Sequence, residues 1–156
     1  MRRFPLSSFL SLAVVGGLLA ASCVPMAPPA PGPGAGPANT GAVCRVLRVV
    51  DGDTVDMTCA QTGPFRARLI GYDTPETFEP SCPQEARLGA AATQSLRDLV
   101  DQATLVQADL GGLDRYDRRL VDLRLDGRPV RDTLIAQGLA LAYDGGRRPD
   151  WCARLG

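Results

Sequence analysis

Residues 24–41 are almost entirely proline, alanine and glycine. Such a composition offers too few apolar side chains to build a core, so we expect a semi-extended tether at residues 23–41. Within the 156 residues, this leaves room for one globular domain, which we place at residues 42–156.

The first 22 residues have the pattern of an export signal. Arg2 and Arg3 supply a positive start, and a mostly apolar run follows to Ala21. The sequence LAASC at residues 19–23 resembles a bacterial lipoprotein processing site, with Cys23 as the lipidated residue. Ordinary cleavage without a lipid is the alternative. We therefore expect export across the bacterial inner membrane to the periplasm or cell envelope, either lipid-anchored or secreted.

The basic residues exclude several kinds of chemistry. The chain has no histidine, which excludes a histidine base, nucleophile or metal ligand. All 17 basic residues are arginine, the side chain suited to forked contacts with phosphate. The formal net charge is zero, so any binding of nucleic acid depends on the local placement of arginines.

An even number of cysteines remains beyond Cys23. They are Cys44, Cys59, Cys82 and Cys152. In a small exported domain this number predicts two disulfides, for which three pairings are possible. The first two cysteines flank an Asp-Gly turn at nearly equal distances, which favours Cys44–Cys59 and, by elimination, Cys82–Cys152. A zinc site is disfavoured because no Cys-x-x-Cys spacing occurs.

The alternation of apolar and polar residues predicts a mostly β domain. Strands are predicted at residues 43–50, 54–59, 65–72, 104–109 and 119–125, and helices at 81–101 and 131–137. In the first helix Ser81 is the predicted N-cap, and Gln84 completes a capping box. Three strands, a helix, two strands and a helix is the order of a five-stranded OB-fold barrel. We therefore expect an α+β fold with two to three helices, an architecture that commonly binds oligonucleotides.

Acids and arginines gather in three short clusters. They read VDGDT at residues 50–54, RLIGYDTPE at 68–76 and DRYDR at 114–118. Carboxylates without histidine or thiolate suit a hard cation such as calcium, and neighbouring arginines suit a phosphate. Alone, each pattern is more often structural: Asp-Gly-Asp-Thr is usually a hairpin turn, Asp-Thr-Pro-Glu a helix-capping loop, and a lone arginine a solvated side chain or part of a surface ion pair. The functional hypothesis rests on all three occurring in this order.

Taken together, the clusters resemble the staphylococcal nuclease family, also called thermonucleases, over about residues 43–143. The resemblance implies a calcium-dependent nuclease that hydrolyses DNA and/or RNA with little sequence preference and leaves 3′-phosphate ends. It implies a calcium site formed by the carboxylates of Asp53 and Asp73 and the carbonyl of Thr74, with Asp51 in support. It further implies that Arg68 and Arg118 grip the scissile phosphate, that Glu76 orients or deprotonates the attacking water, and that Arg115 and Tyr116 contact the terminal phosphate of the nucleotide.

One residue departs from the family pattern. Asp117 stands where the family's usual motif has glycine, and its carboxylate could pair with Arg118, alter the loop backbone or point into solvent. Farther along, Arg147 and Arg148 could extend a phosphate path or form a solvated tail.

The main hypothesis is a monomeric nuclease. The alternative is a non-catalytic OB-fold envelope lipoprotein that binds nucleic acid, which we would expect to lack Glu76 or an arginine. A purely structural envelope lipoprotein would show no response to divalent metal or to nucleotide.

Overall fold

A computed structural model describes residues 41–156. The predicted signal peptide at 1–22, the lipidation site at Cys23 and all but the last residue of the tether lie outside these residues. Among residues 41–156, no helix combines the length and apolar character required to cross a membrane.

Eight strands and three helices make up the described part of the chain. The strands are β1 (Ala42–Val49), β2 (Thr54–Cys59), β3 (Phe65–Leu69), β4 (Gly71–Asp73), β5 (Val106–Leu113), β6 (Arg119–Leu125), β7 (Arg128–Pro129) and β8 (Leu141–Tyr143). The helices are α1 (Pro83–Gln102), α2 (Val130–Ala136) and α3 (Trp151–Leu155). The main sheet has the order β3-β2-β1-β5-β6-β7, and a parallel pairing of β3 with β6 closes it. The five longest strands therefore form the α+β OB-fold barrel that the element order predicted.

The barrel interior is filled mainly by aliphatic side chains from alternate strand positions. Val55, Met57, Ala67, Leu69, Val121 and Leu123 are almost fully buried. Leu96 of α1 and Leu134 of α2 complete this core from the helical side. The large buried ring of Tyr72 donates its hydroxyl hydrogen bond to the Gly52 carbonyl (3.1 Å), which ties β4 to the turn after β1.

The predicted third strand at 65–72 was wrong in its extent. Strand β3 ends at Leu69, and Gly71, which begins β4, adopts a left-handed φ of 88°. This allows β4 to leave the barrel and pair with β8 instead. Any Cβ at this glycine would also lie 2.7 Å from the side chain of Arg131. The change of direction decides where Asp73, the last residue of β4, is placed.

Three smaller predictions also need correction. The N-cap of α1 is Cys82 rather than Ser81, so Gln84 completes no capping box, and Glu85 is the residue that accepts a hydrogen bond from the Ser81 amide (2.7 Å). The fourth strand, predicted at 104–109, runs as β5 through the two glycines at 111 and 112, with an irregular register beside them. β8 and α3 were not predicted, because neither is long enough to show a periodicity.

Both disulfides have the pairing that the cysteine positions favoured. Cys44 and Cys59 are directly opposed in the β1–β2 pair, with Cα atoms 4.0 Å apart. The second bridge joins Cys82, at the start of α1, to Cys152 in α3 across 70 residues of sequence. The C-terminal segment is therefore covalently attached beside α1.

Candidate metal and phosphate site

The turn between β1 and β2 carries Asp53 into the protein. The amides of Val50 and Asp51 donate to the Thr54 carbonyl (2.9 and 3.2 Å), which closes the turn. Asp51 accepts from the Asp53 amide through Oδ1 (3.0 Å), and the carboxylate of Asp53 is then buried. Burial raises the pKa of Asp51, hydrogen bonds from Thr54 act against this shift, and the nearby Glu76 carboxylate adds to it.

The loop after β4 packs directly against this turn. Asp73 is fully buried, and Thr74 follows it with 2% of its surface exposed. Oδ2 of Asp53 accepts from the Thr74 hydroxyl (3.2 Å) and more weakly from its amide (3.4 Å). A Cβ at Gly52 would lie 2.8 Å from the same hydroxyl, so glycine permits the close approach of the two segments. Two acids that lie 20 residues apart in the sequence thereby share one buried site.

Arg68 on β3 is the buried cation between these acids. One terminal nitrogen, Nη1, contacts the Asp53 carboxylate, and Nη2 lies 3.3 Å from Oδ1 of Asp73. Only 12% of the Arg68 side chain is exposed. Burial lowers the pKa of Arg68, attraction to Asp73 opposes this effect, and repulsion from Arg148 and Arg118 adds to it. Even a lowered pKa leaves an arginine charged in proteins, so the guanidinium acts here as a permanent positive charge.

Arg118 lies immediately before β6, the strand that pairs in parallel with β3. Leu120 of β6 is paired with Arg68, and the charge of Arg118 contributes to the lowered pKa of Arg68. Asp114 holds the Arg118 guanidinium through Nε (2.8 Å) and Nη2 (2.7 Å) and also accepts from its amide (3.0 Å). In the structure Arg118 is therefore paired with Asp114, which is separate from the two buried acids Asp53 and Asp73.

Asp117 has a left-handed backbone with a φ of 59°. Glycine adopts this conformation without cost, and aspartate is among the few other residues that tolerate it. The left-handed backbone at this position is therefore open to aspartate as well as to the family's glycine. Tyr116 beside it is 63% exposed, with the Arg115 and Arg118 guanidiniums 4.7 and 5.5 Å from its ring centre.

Glu76 lies at the edge of the site on the loop that leads to α1. Its Oε1 accepts from the amides of Thr77 (3.0 Å) and Phe78 (3.3 Å). Its own amide donates to Glu85 (3.3 Å), a buried carboxylate that also accepts from the Ser81 amide. Glu85 thus fixes the path of the Glu76 loop. Our sequence analysis gave it no role, although an acid in the first turn of a helix is a common N-terminal signal.

The C-terminal segment supplies two residues that contact the site: Arg148, for which the sequence suggested a phosphate path or a solvated tail, and Trp151, for which it suggested no role. Arg148 donates through Nε to Oδ1 of Asp73 (2.8 Å) and through Nη2 to the Thr74 carbonyl (3.3 Å), and its Nη1 lies 3.5 Å from Oε2 of Glu76. Trp151 donates its indole N–H to Oδ2 of Asp73 (3.0 Å). The Cys82–Cys152 pairing was the one sequence signal that placed this segment near α1.

The structure thus brings most of the predicted residues into one site. Asp51, Asp53, Asp73, Thr74, Glu76 and Arg68 are contiguous, and Arg118 is near enough for its charge to act on Arg68. Arg115 and Tyr116 are on the exposed loop beside Arg118. Three of the carboxylates, those of Asp53, Asp73 and Glu76, contact the guanidinium of Arg68 or Arg148.

Comparison with known proteins gives matches in one family. The family described as "Staphylococcal nuclease homologue" matches residues 66–151. The thermonucleases of Staphylococcus hyicus and Staphylococcus intermedius are 36% and 35% identical to the chain over 100 and 97 residues, which cover 63% and 62% of this chain and 57% of each relative. The SPbeta prophage-derived endonuclease YokF of Bacillus subtilis is 39% identical over 100 residues, covering 62% of this chain and 33% of the relative. The chain thus spans little more than half the length of these thermonucleases.

Proposed function

The chain belongs to the staphylococcal nuclease homologue family, and from this premise we propose that it is a calcium-dependent nuclease. Its reaction would be hydrolysis of phosphodiester bonds in DNA and/or RNA, with little sequence preference and with 3′-phosphate products. The observation that carries the proposal is that the buried carboxylates of Asp53 and Asp73 both contact the guanidinium of Arg68. The carboxylate of Glu76 lies at the edge of the same site.

The donor atoms at this site suit calcium. The carboxylates of Asp53 and Asp73 and the carbonyl of Thr74 are hard oxygen ligands, the type that calcium prefers. Arginine nitrogens contact these same atoms: Nε of Arg148 reaches Oδ1 of Asp73, and its Nη2 reaches the Thr74 carbonyl. The atoms therefore already attract positive charge.

When bound, calcium would neutralise phosphate charge and help to hold the substrate. The arginines of the chain would act on the same phosphate. Arg68 and Arg118 are near enough for their charges to interact, and each guanidinium has the planar fork of donors that matches phosphate oxygens. Negative charge grows on these oxygens as the bond to the water forms, so fixed guanidiniums stabilise the transition state more than the bound substrate.

Glu76 would orient the attacking water or accept its proton. Two backbone amides hold Oε1, while Oε2 lies on the side of Arg148 and Asp73. The water oxygen would bond to phosphorus, the bond from phosphorus to the 5′ oxygen would break, and that oxygen would take up a proton. The products would then be a 3′-phosphate and a 5′-hydroxyl, with the Glu76 carboxylate as general base or as the group that orients the water.

The exposed loop would add affinity without selecting a sequence. Tyr116 and Arg115 are at the surface next to Arg118, where a terminal phosphate of the nucleotide can reach them. All of these proposed contacts fall on phosphate groups, which carry no base information. We therefore expect cleavage of many different sequences.

Hydrolysis of single-stranded DNA by the purified protein, with calcium and then with a chelator, tests the proposal. Glu76→Gln and Arg118→Ala should each lose most of the calcium-dependent cleavage while remaining folded. Matched controls are Glu79→Gln, an exposed glutamate three residues later, and Arg66→Ala, an exposed arginine on the same strand as Arg68. Both controls should cut like the wild type.

The products also test the bond that breaks. New ends should accept phosphate from a 5′-polynucleotide kinase without prior phosphatase treatment, because each carries a 5′-hydroxyl. Cleavage that persists in chelator would refute the calcium dependence. A folded wild type that binds DNA but does not cut it would replace the nuclease with the non-catalytic binding protein.

We also propose export and a lipid anchor at Cys23, on the pattern of residues 1–23. Several acyl chains on one cysteine would hold the protein at the membrane, since each buried methylene contributes about 0.8 kcal/mol. Labelling of the protein in bacteria with radioactive palmitate should be lost in Cys23→Ala. Equal labelling of both proteins would refute the assignment of Cys23. We expect a monomer, which size-exclusion chromatography with light scattering would test.

A further inference from the structure

Trp151 makes a buried hydrogen bond to one of the proposed calcium ligands. Its indole N–H donates to Oδ2 of Asp73 at 3.0 Å. Asp73 is fully buried, and Trp151 is only 6% exposed. Since an indole N–H can only donate, and a buried carboxylate requires donors, each group satisfies the other.

Two features hold the tryptophan at this position. The bridge between Cys82 and Cys152 fixes the next residue of α3 to the start of α1. Asp150 caps α3 by accepting from the Ala153 amide (2.9 Å). The indole is therefore supported from both neighbouring positions in the chain.

The two oxygens of Asp73 have different partners. Oδ2 accepts from Trp151, whereas Oδ1 faces the site and contacts the guanidiniums of Arg68 and Arg148. The indole thus sets the rotation of the carboxylate and leaves a single oxygen directed toward the cation position. A partner that orients a metal ligand in this manner commonly changes metal affinity by 10- to 100-fold.

We propose that Trp151 is a positioning residue for Asp73, which holds the carboxylate so that Oδ1 is presented to the divalent cation. This inference rests on the proposed calcium site. It assigns a role in that site to the C-terminal segment beyond the β8 strand. Trp151 itself contacts neither cation nor substrate and acts through Asp73.

Calorimetric titration with calcium, on oxidised protein, tests this role without measuring cleavage. Trp151→Phe removes the N–H and keeps an aromatic ring, and it should raise the dissociation constant for calcium by roughly tenfold. The matched control is Tyr143→Phe, at the end of β8, which removes another side-chain donor, the hydroxyl that donates to the Gly146 carbonyl (2.7 Å). The control should bind calcium like the wild type.

Trp151 is also the only tryptophan in the chain, so its fluorescence reports on this contact directly. Calcium should change the emission of the wild type, because the indole donates to a carboxylate that is proposed to bind the cation. This measurement tests the inference even if Trp151→Phe does not fold.

Unchanged calcium affinity in folded Trp151→Phe, or calcium binding that leaves the emission unaltered, would overturn the inference. A wild type that binds no calcium would overturn it together with the metal site. A wild type that binds calcium normally but cuts no nucleic acid would refute only the nuclease, and weakened binding by Trp151→Phe would then still support the role of Trp151.

Discussion

Replacement of Arg68 by methionine should make the stability of the protein depend on divalent cations. The guanidinium is 12% exposed, and the side chains of its partners Asp53 and Asp73 are 8% and 0% exposed. Methionine fills a similar volume but leaves buried carboxylates without their cation. Removal of one partner from a buried ion pair typically costs about 3–5 kcal/mol. Because Arg148 still contacts Asp73, we expect the lower end of this range, about 3 kcal/mol.

Calcium should restore part of the stability that the Arg68→Met variant loses, because it supplies the missing positive charge. A ligand at 100 times its dissociation constant stabilises the folded state by about 2.7 kcal/mol, and the variant should bind calcium more tightly than the wild type. Urea unfolding of both proteins, in chelator and in calcium, gives the four free energies required. The gap between the proteins should be wide in chelator and narrower in calcium.

A surface arginine on the same strand provides the control for this experiment. Arg66→Met removes an arginine that is 49% exposed in its ion pair with Asp56. Its cost should be below about 1 kcal/mol and independent of calcium. If the gap for Arg68→Met is equal in chelator and in calcium, Arg68 and the cation do not neutralise the same carboxylates, and the reasoning fails.

Three further predictions concern the supports of the site. Asp117→Ala should lower the free energy of unfolding by about 1 kcal/mol relative to Asp117→Gly, because alanine tolerates a φ of 59° poorly; equal stabilities would contradict this. Glu85→Gln should cost about 1.5–3 kcal/mol of stability and lower kcat, because the amide replaces a charged acceptor that fixes the Glu76 loop. Urea unfolding and steady-state kinetics test this, and no change in either quantity would contradict it. The pKa of Asp56 is lowered from 3.8, first by the hydrogen bond from Arg66, so its stabilising contribution is present above pH 3.8 and is lost as the pH falls through the lower folded value. The stability difference between the wild type and Asp56→Asn should therefore close in acid, and a difference that grows there would contradict the assignment.

The parts of this fold that were predictable from sequence are those with a local signal. The strands at 54–59 and 119–125 have the predicted bounds, because each shows apolar alternation and ends at a turn. The turn between the first two strands was predicted from its Asp-Gly pair at residues 51 and 52. Strand 65–72 was predicted as a single element, because a left-handed glycine inside an apolar run is indistinguishable from an ordinary strand residue until the partner strand is known.

The rest of the site depends on contacts between distant parts of the chain. Arg148 and Trp151 reach Asp73 across 75 and 78 residues, and no periodicity in the sequence encodes such a contact. The cysteines were informative because a disulfide joins distant parts of the chain and the residues that form it can be recognised in the sequence. They placed the C-terminal segment beside α1, but the distance from there to Asp73 depends on the turn at Gly71 and on the packing of β4 against β8.

Arg68 and Arg148 neutralise the same carboxylate, but they differ in how easily each could give way to a cation. Arg68 is enclosed, and its withdrawal would leave Asp53 and Asp73 buried without their counter-ion. Arg148 is 51% exposed, so water can solvate its guanidinium when the contact breaks, and little free energy is lost. The atoms that it contacts, Oδ1 of Asp73 and the Thr74 carbonyl, are also two of the proposed calcium ligands. A divalent cation entering this site would therefore replace Arg148 and leave Arg68 in place for the phosphate.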